Sequence, residues 1–203
     1  MKTLSKKPGG AKEKIRNEAI KLFKEYGYEN VTVVQICEAA GITKRTFYYY
    51  FSAKDEIVDG IVGHVGHNTE QMADALLHQE TNVGVLWAMM RNYAVDAEEN
   101  GPVITAQVYI NILQRGATEV FPDDMVLFNA SVRTITNAQM TGEIGNQQPP
   151  KDIAFALFHA LRSAAYSWCA AGGSYPLLEE YKRIFISVLD FRIPPEKAFG
   201  EDS

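Results

Sequence analysis

Cysteine is scarce in this chain of 203 residues: Cys37 and Cys169 stand far apart and form no CxxC pair. That excludes a disulfide framework and a thiolate zinc site, and it favours a reducing compartment. Long apolar runs are missing too. None approaches the roughly 20 residues that cross a bilayer. No apolar stretch follows the basic N-terminus as in a secretory signal. A cytoplasmic chain with no membrane contact is therefore expected. No phosphate loop, dinucleotide-binding glycine fingerprint or nucleophile elbow occurs. His64, His67, His78, His159 and the pair Asp123-Asp124 are the residues that catalysis or a metal would draw on. His64 and His67 share a helical spacing, but no third ligand follows at recognisable distance. No enzyme activity, metal or cofactor is expected. Alternation of period two never lasts long enough for a strand.

What remains is an apolar, helix-patterned sequence, 46% hydrophobic and 22% charged, as in a globular protein. Its net charge is −5, unevenly spread. Residues 1–55 hold 11 Lys and Arg against 6 Asp and Glu, a net of +5, and the rest holds 9 against 19, a net of −10. A basic head on an acidic body suits a nucleic-acid binder.

The order of elements follows from punctuation. Pro8-Gly9-Gly10 marks a flexible leader over residues 1–10. A helix is predicted from about Ala11 to Tyr26, with Ile15, Ala19, Leu22 and Phe23 on one stripe and Gly27 as its stop. Thr32 and Gln35 make a capping box for a second helix, whose Ile36, Ala39 and Ala40 should face inward. Gly41 supplies a tight turn, and Thr43 caps a third helix. A longer helix is predicted from Lys54 to Leu77. Further helices are placed near 83–99, 102–116, 124–146, 151–171 and 175–191, with Pro194-Pro195 closing the last. The expected fold is all-α with about nine helices. Residues 1–55 form an N-terminal helix-turn-helix domain, and residues 56–203 a larger helical regulatory and dimerisation domain.

The second and third helices are built to place one helix in a DNA groove. Gly41 lets them cross closely, and Ile36, Ala40, Ile42 and Phe47 hold them together. Lys44, Arg45, Thr46, Tyr48 and Tyr49 are left outside. Arg45 has the fork that matches guanine O6 and N7, and the phenols suit phosphates, sugars and thymine methyls. Cys37 and Phe51 read as packing.

Over about residues 11–60 the chain resembles the TetR family of bacterial transcriptional regulators. Thr32, Ile36, Ala39-Ala40-Gly41-Ile42, Thr46-Phe47-Tyr48-Tyr49-Tyr50-Phe51 and Lys54 match its signature in order and spacing. Ala19-Ile20-Lys21-Leu22-Phe23 and Gly27-Tyr28 match the preceding helix and turn. Val34 stands where that family often has a polar residue. The resemblance implies a homodimer on a palindromic operator in double-stranded DNA, released by a small-molecule effector. Thr32, Tyr48 and Lys54 would lie at phosphates, Tyr50 would pack or touch phosphate, and Lys44, Arg45 and Tyr49 would lie at the groove with Thr46 next to them; Thr43 is counted among the DNA-binding residues.

The body matches no motif. An apolar or aromatic effector would draw on Trp87, Met90, Tyr93, Tyr109, Phe158, His159 and Trp168, which also suit plain core. Leu157, Leu161, Ala164 and Trp168, with Phe185 and Val188 on the last long helix, suit a four-helix dimer interface. An intrasubunit core would show the same stripe. The competing reading keeps the DNA-binding head as a structural or interaction protein without an effector.

Overall fold

The computed structural model describes residues 9–62, 77, 79–115 and 126–200. Ten helices lie among them: α1 (Gly9–Tyr26), α2 (Val33–Ala40), α3 (Lys44–Tyr50), α4 (Lys54–Val62), α5 (Asn82–Asn100), α6 (Pro102–Arg115), α7 (Val126–Met140), α8 (Pro150–Ala170), α9 (Leu177–Leu189) and α10 (Pro195–Phe199). No named strand occurs among the described residues. The leader before Gly9, most of the fourth helix's predicted C-terminal half, His64, His67, His78 and Asp123-Asp124 lie outside them.

Local chemistry sets the N-terminal boundaries. Gly27 ends α1 at φ 81°, a left-handed conformation natural to glycine. The Thr32–Gln35 capping box starts α2 with both halves made. Gly41 at φ 65° ends it, its amide and that of Ile42 donating to Glu38 and Cys37 carbonyls. Ile36 and Ala40 face inward as expected, but Ala39 is exposed. It lies a helical step off the stripe they define.

Three boundaries differ from the sequence reading. The predicted 124–146 helix stops at Met140, because Gly142 adopts φ 74° and closes the turn. Residues 143–146 then run beside 189–192, joined by Gly145 N–H to Asp190 O at 2.6 Å and Arg192 N–H to Glu143 O at 2.8 Å. The last long helix ends at Leu189, where Asp190 takes a left-handed φ of 54°. Pro194-Pro195 does not terminate that helix. Pro195 opens the additional α10, its fixed φ suiting the first turn.

Two hydrophobic cores result. The body core joins α5 and α7–α10 through Leu86, Met90, Phe128, Leu157, Trp168 and Phe185. The head core gathers Ile15, Phe23, Ile36, Phe47 and Phe51. It also takes Ile57 and Val58 from α4 and Ile104 and Val108 from α6. The head's interior thus extends past residue 55 into the following chain. Lys24 adds a polar tie, its ammonium donating to the Glu99 carbonyl at 2.7 Å.

Candidate nucleic-acid interface

Thr43 starts α3: its hydroxyl accepts from the Thr46 amide at 3.2 Å and lies 3.0 Å from the Thr46 hydroxyl. The helix has seven residues, too few to hold itself in water, so burial must fix it. Phe47 and Phe51 do this, fully enclosed with ring centroids 5.8 Å apart. Anchoring Phe47 aims the opposite face outward. Lys44, Arg45, Tyr48 and Tyr49 share that face at i, i+1, i+4 and i+5, all exposed, with Tyr49 at 80%. Tyr50 is half-buried and sets its ring edge-on against Tyr49, centroids 4.9 Å apart. Thr46 is half-buried too, beside its cap.

The exposed Thr32 caps α2, whose first turn carries no acidic residue. The capping box takes the Thr32 and Gln35 amides, and the uncharged first turn suits a phosphate. Lys54 is engaged within the chain. Its ammonium donates to the Tyr28 carbonyl at 2.9 Å and the Val31 carbonyl at 3.2 Å, and lies 4.1 Å from the centre of the Tyr28 ring. The Tyr28 hydroxyl in turn donates to Asp55. Lys54 therefore ties the turn after α1 to the start of α4, with one ammonium hydrogen left for another acceptor. Cys37 is buried; burial pushes its thiol up, with Lys44 pulling it back and Glu38 adding to the rise.

In the body, most candidate effector residues are core. Trp87 is buried edge-on against Phe185 and Phe199. Met90 and Phe158 are buried, and Trp168 donates its indole N–H to the Tyr175 carbonyl at 2.8 Å. His159 is not an interior group: it is exposed, stacked on Phe155 at 6.4 Å. One residue past Phe158, it is rotated about 100° away from the core. Tyr93 and Tyr109 remain half-buried against the body core. Burial pushes both phenols up to about 12. Beside them lies a residue that the sequence reading missed, Arg162, half-buried on α8. Burial lowers the pKa of its guanidinium, while Tyr109, Tyr93 and Tyr181 act to raise it. Its spacing from Phe158 and Ala165 was the available signal, a charge on an apolar stripe. An open groove of about 580 Å³ lies elsewhere, between α1 and the end of α5, and is lined by Glu13, Lys14, Asn17, Lys21 and Glu99.

The side chains expected at a dimer interface face inward within one chain. Leu157, Leu161, Ala164, Trp168 and Phe185 are already buried within one chain, and Val188 packs on the same core. A side chain enclosed in its own subunit has no surface left for a partner. The exposed face of α8 carries Ala156, His159, Ser163, Tyr166 and Ser167, flanked on α9 by Arg183, Ile186 and Ser187.

Residues 15–61 match the family model described as bacterial regulatory proteins, tetR family. The chain is 41% identical over 46 residues to the HTH-type transcriptional regulator TcmR of Streptomyces glaucescens, covering 23% of this chain and 20% of that protein. It is 30% identical over 86 residues to IcaR of Staphylococcus aureus, the negative regulator of a biofilm operon, covering 42% and 40%. The matches thus span two fifths or less of these curated relatives. Over the whole fold, the chain is similar to Thermus thermophilus FadR, a TetR-family repressor solved with lauroyl-CoA (TM-score 0.58, 17% identity, 90% and 95% covered). It is also similar to SmeT, repressor of a Stenotrophomonas maltophilia efflux pump (TM-score 0.60, 19% identity, 88% of each chain covered). At such identities the likeness is one of fold.

Proposed function

We infer that this chain, a member of the TetR family of bacterial regulatory proteins, is a transcriptional repressor that binds a palindromic operator as a homodimer and lets go when a small molecule enters its body. The observation that carries this is the outer face of α3. Two cations and two phenols stand exposed on one side of a short helix whose other side is locked by Phe47 and Phe51. A helix so held presents Arg45 to a guanine edge, Lys44 to the groove and the tyrosines to backbone and methyl groups. Thr32 and Thr43 cap the two helices, each hydroxyl taking one first-turn amide, and the rest of each first turn suits a phosphate.

The exposed faces of α8 and α9 support the dimer. Their small residues permit close helix contact around Tyr166 and Ile186, which are 64% and 39% exposed. Coupling between effector and DNA is supported by α6. Val108 sits in the head core, while its neighbour Tyr109 packs against the body core. A shift of that one helix moves both.

The test is a DNA site selected from random duplexes by the full chain. Its affinity is then measured for the chain and for the Lys44→Ala/Arg45→Ala double variant at one salt concentration. The double variant should bind about a hundredfold more weakly, from about 1–3 kcal/mol per base-reading contact. Equal site-specific affinity would remove α3 as the reading helix. Light scattering should give the mass of two chains; the mass of one would remove the dimer.

A further inference from the structure

α6 carries almost none of the protein's charge. Residues 102–114 contain no Asp, Glu, Lys or Arg, although residues 56–203 hold a net of −10. The inner side of the helix is accounted for within the chain. Ile104 and Val108 enter the head core, Ile112 packs on it, and Tyr109 packs on the body core. The opposite side is Val103, Ala106, Ile110 and Leu113, at i, i+3, i+7 and i+10, which makes one helical stripe. Ala106 is half-buried, while Val103, Ile110 and Leu113 are 46%, 42% and 78% exposed. A helix face turned only to water would carry charged side chains. A continuous apolar stripe marks a contact surface.

Charge, and what a stable dimer needs, indicate the occupant. The exposed face of α8 and α9 holds two large apolar side chains, Tyr166 and Ile186, among small or polar ones. A durable homodimer interface is wider and more apolar than that, and is anchored by several large side chains. The α6 stripe adjoins this face. α6 packs along α8, and a Cβ added at Gly173, just past the end of α8, would meet Pro102 Cγ and Trp168 Cζ2, each at 3.2 Å. The start of α6 thus abuts the end of α8, with Val103 next in line. Two bodies of net −10 repel each other, so they can approach closely only through uncharged faces. The α6 stripe is such a face. The same negative charge opposes docking on an anionic membrane surface.

We propose that Val103, Ala106, Ile110 and Leu113 pack against a second copy of this chain, extending the α8–α9 face into a wider dimer interface. The proposal rests on the homodimer reading and adds a surface to it. Each α6 then has the partner subunit on one side and its own head core on the other. Each head is positioned in part by the partner subunit, so loosening this contact loosens the pair of heads as well as the dimer.

The experiment is sedimentation equilibrium of the full chain, of Ile110→Gln/Leu113→Gln and of Ile110→Glu/Leu113→Glu, with thermal melts run below the dimer's dissociation constant. The Gln pair should weaken dimerisation about tenfold or more, from two aliphatic groups no longer buried, and the Glu pair further still. Melting of the single subunit should not change, because both side chains are exposed in one chain. Affinity for the selected DNA should fall with dimerisation and recover at high protein concentration. An unchanged dissociation constant in the Glu pair would overturn the proposal and leave the dimer reading intact. So would a lowered subunit melting point with an unchanged dimer, which would place the cover of the stripe within the chain. So would flotation of the wild type, but not of the Glu pair, with phosphatidylglycerol vesicles while the dimer is unchanged. A wild-type chain that stays single at every concentration removes the dimer reading itself, and this proposal with it.

Discussion

The head and the body use the same residue types in opposite ways. In the head, Lys44, Arg45, Tyr48 and Tyr49 project into solvent from a helix whose inner side is sealed by Phe47 and Phe51. In the body, Arg162 is half-buried on α8 beside the apolar stripe, and Tyr109, Tyr93 and Tyr181 act on its guanidinium. The difference teaches that cations and phenols do not by themselves indicate a ligand. Their phase relative to the nearest buried stripe does.

Predictions follow that contrast from the largest expected effect to the smallest. Phe47→Ala should break the head's side of it. The side chain is fully buried, and its loss should cost about 3–5 kcal/mol in urea unfolding. Specific DNA binding should fall with it although every groove-facing residue is kept. An intact DNA affinity in that variant would show that α3 is held by something other than this ring. The body's side is sharpened by alkali. Tyr93 and Tyr109 have folded pKa values raised from 10.0 to about 12. Between those values the folded chain holds more protons than the unfolded one, so stability must fall as pH rises through that window. Each phenol contributes on the order of 2–3 kcal/mol below pH 10 that is lost by pH 12. Phenolate absorbance followed alongside urea midpoints should show this slope, and Tyr93→Phe/Tyr109→Phe should make it shallower, with burial of Tyr181 keeping part of it. A double variant with the same slope would place the sheltered phenols elsewhere.

Much of the head was legible because its determinants are local. The Thr32–Gln35 box, Gly41 and Thr43 each act within four residues, and the structure has all three in the expected roles. The all-α fold was legible from helical periodicity and Gly or Pro punctuation. Asp190 was missed because its left-handed conformation occurs without glycine. It falls where residues 189–192 pair with 143–146. Ala39 and His159 were misplaced by one helical step, which residue type alone does not reveal. Leu157 and Leu161 form a real stripe, but a stripe does not say whether its partner belongs to the same chain. Arg162 escaped notice because its neighbours Tyr93, Tyr109 and Tyr181 come from three helices widely separated in sequence. Lys54 was legible as a cation near α4; its engagement with two carbonyls was not.

Ile104 and Val108 have a bearing on how such proteins can be recombined. Both side chains are inserted into the head core beside Ile57 and Val58. A head transplanted at residue 55 would therefore arrive with part of its interior left behind on the donor's α6. A working chimera has to carry the recipient surface along with the head, or else match an isoleucine and a valine at that seam. A head moved without that surface is thus restricted to bodies whose α6 already presents the same two plugs.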